Sequence, residues 1–268
     1  MKKPKKQKPQ RKTTANVGTP TVINTVEIKD NSPYVFQRDK FALTLNVKEL
    51  PWTEKQKAII QLFLHKDTKA LFLKGPAGTG KSLLAMYCGL QLLNMKKVSD
   101  LVLVRAAVEA ADSKLGYLPG TSEEKLGAHM VAFHDKLSEL LIKPHIAALQ
   151  KDERLISCPI SFARGLHFAA KFVCVDEYQN LTRKESLLML SRIGEYSKVF
   201  LCGDPDQSDL PHGKSSFVET YNLFNNEESR EQGIFCVELT EEDIVRSEFC
   251  KFITRKFKEL PPIQHHKH

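Results

Sequence analysis

The stretch Gly75-Pro76-Ala77-Gly78-Thr79-Gly80-Lys81-Ser82 restricts this chain more than any other. An apolar run, Ala70 to Leu73, precedes it, and a second, Leu83 to Met86, follows. The pattern predicts a strand, a tight turn and a helix start, the context in which such a loop (a Walker A sequence) has chemical meaning. Gly75, Gly78 and Gly80 let the backbone turn sharply with its N–H groups aimed inward. Those donors, with the positive end of the following helix, suit a triphosphate. Lys81 can reach the β- and γ-phosphates, and the Ser82 hydroxyl can bind Mg²⁺. The expected fold is therefore α/β, with the loop at the carboxyl edge of a parallel sheet.

A second element supports the first. Phe172-Val173-Cys174-Val175 reads as a buried strand that ends in two adjacent carboxylates, Asp176 and Glu177. In a parallel-sheet pattern downstream of Lys81 they form a Walker B pair: Asp176 holds Mg²⁺, directly or through water. Glu177 is then placed to polarise an attacking water as general base. A further strand, Lys198 to Cys202, ends in Gly203-Asp204-Pro205-Asp206-Gln207. Gln207 is a neutral amide suited to sensing a γ-phosphate or the water, and Asp204 is suited to bonding the turn's own backbone.

Other positions carry two readings each. Thr53 and Gln56 make a capping box for a helix through Ile59, Ile60 and Phe63, and Gln56 can also pair with an adenine edge. Arg105, after the predicted strand Asp100 to Val104, either touches nucleotide or nucleic acid or forms a surface ion pair. Arg246 follows the predicted strand Ile234 to Leu239. It is either a charge that reaches a nucleotide from outside its own pocket or a cap or ion pair within its own helix. Leu126, Met130, Phe133, Leu137 and Leu140 make one helical stripe, read as core or subunit contact. His129 and His134 flank it without sharing a face at metal-binding spacing. Nothing resembles an Asn-Lys-x-Asp guanine reader, which favours ATP over GTP.

At 41% apolar, the 268 residues can build a sizeable core. No long uncharged apolar run appears, so no membrane association is expected. The six cysteines are scattered without a CxxC pair, which fits a reducing, cytoplasmic setting. Lys2, Lys3, Lys5, Lys6, Lys8, Arg11 and Lys12 supply nearly all of the net charge of +8. Residues 1–40 are thus expected to be a largely disordered basic tail, either a nucleic-acid arm or a solubilising one. The folded domain is expected over residues 41–260, and residues 261–268, with His265, His266 and His268, as a solvated end.

In this order the landmarks resemble the PhoH family of ATPases, which is related to superfamily 1 helicases. The likeness rests on Thr53 and Gln56, Gly75 to Ser82, Arg105 with Leu115-Gly116-Tyr117-Leu118-Pro119-Gly120, Asp176-Glu177-Tyr178-Gln179-Asn180, Gly203 to Pro211, and Val245-Arg246. It implies a single RecA-like P-loop domain whose parallel sheet is sandwiched by helices. It also implies that the strand ending at Gly203 lies between the phosphate-loop strand and the Asp176 strand. Gln56 becomes an adenine contact and Gln207 a sensor, and a link to RNA metabolism and a ring of six subunits follow. Ala106, Ala111-Asp112, Tyr178 and Ser247 depart from the family's usual residues. The related helicases join two such halves, whereas about 220 folded residues hold one. The resemblance therefore implies a homo-oligomer, a hexamer foremost, with Arg246 reaching a neighbour's ATP. The alternative is an ATP-gated scaffold with slow turnover and no nucleic-acid activity. A metabolite kinase is disfavoured, since a water-activating Glu177 would waste ATP.

Overall fold

The computed structural model describes residues 41–106 and 133–245, with Phe249, Phe252, Ile253, Arg255, Lys256 and Glu259 beyond them. Among these residues six strands form one sheet: β1 (Ala70–Lys74), β2 (Asp100–Arg105), β3 (Leu155–Ser157), β4 (Lys171–Asp176), β5 (Lys198–Gly203) and β6 (Ile234–Glu238). Their spatial order is β3-β2-β4-β5-β1-β6, and every pairing is parallel. The strand ending at Gly203 thus lies between β1 and β4, as the resemblance implies. Central strands of such a sheet are covered on both faces, which is why β2, β4 and β5 read as unbroken apolar runs rather than alternating ones.

Successive side chains point to opposite faces, so each strand feeds two cores. Leu71, Leu73, Leu101, Leu103, Phe172, Cys174, Phe200 and Cys202 pack into one core. The helices there are α1 (Glu54–Leu64), α2 (Lys81–Asn94), α3 (residues 133–140) and α4 (Lys143–Lys151). Phe72, Val102, Val104, Val173, Val175, Val199 and Leu201 enter the other core. That face is covered by α5 (Arg183–Leu190) and α6 (Phe217–Phe224) through Met189, Phe217 and Tyr221. A short α7 (Glu227–Glu231) leads into β6. Phe133, Leu137 and Leu140 of the predicted stripe are all buried in the first core, while Leu126 and Met130 lie outside the described residues.

Local chemistry fixes the helix ends. Thr53 and Gln56 form the expected capping box at α1, and Thr182 with Glu185 forms another at α5. At the other end of α1 the Lys198 ammonium donates to the Phe63 carbonyl at 2.8 Å and to that of His65. Burial lowers the Lys198 pKa to about 8. Tyr178, the departure from the family's small residue, is fully buried and meets Phe72 and Phe217 edge-on. No helix among the described residues is long and apolar enough to cross a membrane.

Candidate nucleotide site

Register brings the site together. Lys74 pairs with Gly203 and Arg105 with Asp176, so the carboxyl ends of β1, β5, β4 and β2 finish at one edge. The loop from Gly75 to Gly80 joins β1 to α2 there. Gly78 and Gly80 have φ of +86° and +80°, where a side chain is strained. Gly75 is needed for another reason: a Cβ there would lie 2.8 Å from Leu239 Cβ and 2.9 Å from its carbonyl oxygen. The Lys81 ammonium donates to the carbonyls of Gly75 at 2.7 Å and Pro76 at 2.9 Å, so it rests on the loop that presents it. Thr79 closes the turn by donating to the Pro76 carbonyl at 2.8 Å.

Ser82 Oγ donates to Asp176 Oδ1 at 2.8 Å across 94 residues of sequence. Burial, then the charge of Glu177, raises the Asp176 pKa, while the Ser82 hydrogen bond opposes this. A hydroxyl and a half-buried carboxylate meeting beside a phosphate loop fit a hard divalent cation such as Mg²⁺. Among the described residues no three His, Cys, Asp or Glu side chains cluster as a metal site.

Glu177 adopts φ +56° and ψ +38°, a left-handed conformation that costs a non-glycine residue about 1 kcal/mol or more. Its Oε2 accepts from Gln179 Nε2 at 2.7 Å, and its Oε1 lies 3.9 Å from the Arg105 guanidinium. Arg105 is thus an ion-pair partner, though its partner is a residue of the site. Beyond β5, Asp204 Oδ1 accepts the Asp206 N–H at 3.1 Å, the backbone role read for it from its turn. Burial raises its pKa, opposed by that hydrogen bond and by the charge of Lys81. Gly78, Lys81, Ser82, Asp176, Glu177 and Gln207 all line one cavity of about 450 Å³.

Gln56 stands slightly apart. It is 2% exposed, accepts the Thr53 N–H at 3.0 Å and donates to the Thr79 carbonyl at 3.1 Å. It props the loop from beneath, and one N–H and one lone pair of its amide remain. The segment after β6 closes the same side. Val245 N–H donates to the Gly78 carbonyl at 3.0 Å, and Lys55 pairs with Asp243 at 2.7 Å. Arg246 and residues 113–120 lie outside the described residues. Sequence reasoning assigns no role to Gln179, Asn180, Val245 or Lys136, of which Val245 and Lys136 line the cavity. Gln179 and Asn180 are visible there only as members of the Asp176–Asn180 block.

The family described as PhoH-like protein matches residues 50–258 of the chain. A PhoH-like protein of Mycobacterium tuberculosis is 35% identical over 173 residues, covering 64% of this chain and 48% of the relative. One of Bacillus subtilis is 34% identical over 182 residues, covering 68% and 56%. One of Synechocystis is 31% identical over 206 residues, covering 77% and 61%. The chain spans about half the length of the curated relatives it matches. Among solved structures, the large terminase of a thermophilic bacteriophage aligns at 12% identity and a TM-score of 0.48, covering 77% of this chain and 50% of that one.

Proposed function

This chain belongs to the PhoH-like protein family of P-loop NTPases, and on that premise we propose that it binds Mg²⁺ and ATP at Gly75–Ser82 and hydrolyses ATP to ADP and phosphate. The observation that carries the reading is the Ser82–Asp176 hydrogen bond, which joins the phosphate loop to the β4 end with Glu177 as the next residue. Backbone N–H groups of the loop hold the phosphates. Lys81 exchanges the Gly75 and Pro76 carbonyls for β- and γ-phosphate oxygens. Ser82 and Asp176 would hold Mg²⁺, which would neutralise phosphate charge when bound. Glu177 takes the proton of the attacking water, and Gln207 faces the γ-phosphate or that water. The residual N–H and lone pair of Gln56 match the adenine edge.

The oligomer and its purpose extend the same proposal. In the related helicases a second half supplies an arginine to the nucleotide, and we assign that charge here to Arg246 of a neighbouring copy in a homo-oligomer, a hexamer foremost. Such a residue is worth about 10³- to 10⁵-fold in rate. Exposed apolar side chains near it in sequence support a subunit boundary: Val245, Phe252 and Ile253 are exposed, and Phe249 is 72% exposed. RNA or single-stranded nucleic acid is the proposed partner, motivated by the basic segment at residues 1–12. The competing reading is an ATP-gated scaffold whose nucleotide state sets assembly alone.

Steady-state hydrolysis with and without single-stranded RNA, beside solution mass, separates these readings. The motor reading expects RNA-stimulated turnover that rises faster than linearly with protein concentration and falls about 10³-fold or more in Arg246→Ala. Turnover indifferent to RNA favours the scaffold. Full activity in Arg246→Ala, or in a demonstrated monomer, removes the shared site.

A further inference from the structure

Gln179 is a buried polar side chain that ties Glu177 to the turn after β5. It is 1% exposed, and its amide meets three partners. Nε2 donates to Glu177 Oε2 at 2.7 Å and to the Gln207 carbonyl at 3.3 Å, and Oε1 accepts the Asp204 N–H at 3.0 Å. An Asp204 N–H can only donate and a Gln207 carbonyl can only accept, so these two backbone groups fix which end of the amide is nitrogen. The second N–H is thereby aimed at Glu177. The backbone around it is clamped as well. Ser208 Oγ donates to the Gln179 carbonyl at 3.1 Å, and Asn180 exchanges hydrogen bonds with Asp209 at 3.0 and 2.8 Å.

We propose that Gln179 is a positioning residue that uses the Gly203–Gln207 turn as its anchor and locks the Glu177 carboxylate, so that the water-activating group holds one geometry. The proposal rests on the ATPase reading above. The other hold on Glu177 among the described residues is Arg105, at 3.9 Å and half-exposed, where an ion pair is weak. The aim of the carboxylate therefore comes from the amide. A misplacement of about 1 Å at a reacting group costs on the order of 10²-fold in rate. The affinity for ATP resides in the Gly75–Ser82 loop, which Gln179 does not contact through any of these hydrogen bonds. Losing the amide thus lowers kcat and spares binding.

The test is a double-mutant cycle with Gln179→Met and Glu177→Gln, reading kcat, KM and equilibrium ATP affinity for each protein. Gln179→Met is expected to lower kcat about 10- to 100-fold with ATP affinity within about threefold of wild type. Added to Glu177→Gln, it should cost nothing further, because it acts through the carboxylate already removed. Unchanged kcat, an affinity loss that matches the kcat loss, or two losses that multiply would each overturn the proposal. Gln179→Asn, which keeps an amide one methylene short of Glu177, carries the same expectations should the methionine variant fail to fold. Wild-type turnover in Glu177→Gln alone would remove the hydrolysis reading, and this proposal with it. A large loss in Glu177→Gln with none in Gln179→Met would remove this proposal only.

Discussion

Gly75→Ala isolates close approach from backbone strain. Gly75 is not among the positive-φ glycines, so alanine meets no left-handed strain there. What it meets is Leu239, whose Cβ would lie 2.8 Å from the new methyl and whose carbonyl oxygen 2.9 Å. Carbon atoms prefer about 3.5–4.0 Å, so roughly 1 Å of separation must be found. Neither side yields cheaply. Leu239 N–H donates to the Lys74 carbonyl at 2.7 Å, and Gly75 N–H donates to the Gly203 carbonyl at 3.1 Å. Overpacking of this kind costs about 1–3 kcal/mol, which in a domain of this size lowers Tm by roughly 2–12 °C. The strain has a functional address, since Leu239 begins the segment that ends with Val245 on the Gly78 carbonyl. Thermal unfolding with and without Mg·ATP reads both effects. The variant should melt earlier and gain less from nucleotide than wild type. An unchanged Tm with an unchanged nucleotide-induced shift would refute the reasoning.

Two further outcomes follow from particular contacts. The folded state holds Lys198 near pKa 8 against an ordinary 10.5, so between those values the unfolded chain binds more protons and stability rises with pH. Denaturant midpoints from about pH 7.5 to about pH 10.5 should show that rise relative to Lys198→Met, and parallel curves would contradict it. Ser82→Ala removes one of two protein oxygens proposed for Mg²⁺, so the Mg²⁺ concentration for half-maximal hydrolysis should increase about tenfold or more. An unaltered Mg²⁺ dependence would deny Ser82 that role.

How much of this is legible in the sequence depends on the physics of each element. The buried central strands are plain because a parallel sheet covered on both faces writes apolar runs, as in Phe172–Val175 and Val199–Cys202. β3 is not, since Leu155–Ser157 is a three-residue edge strand, partly exposed and without an apolar run. The phosphate loop and the Asp176–Glu177 pair are readable because their chemistry is local in sequence. Gln179 is not, because its partners at Asp204 and Gln207 are 25 and 28 residues away and only the fold shows that they meet. Gly75 reads as one more flexible turn residue until Leu239 is found against it. The capping and adenine readings of Gln56 stand side by side in the sequence. In the structure its amide forms the cap and still retains one N–H and one lone pair.

The proposal that Glu177 activates the attacking water is probed by a single comparison. Phosphate release from Mg·ATP should be measured for wild type and Glu177→Gln, with equilibrium ATP binding on the same samples. The expected result is near-equal binding and turnover at least ~100-fold lower in the variant. Equal turnover in the two proteins, or a wild type that binds no ATP, would contradict it.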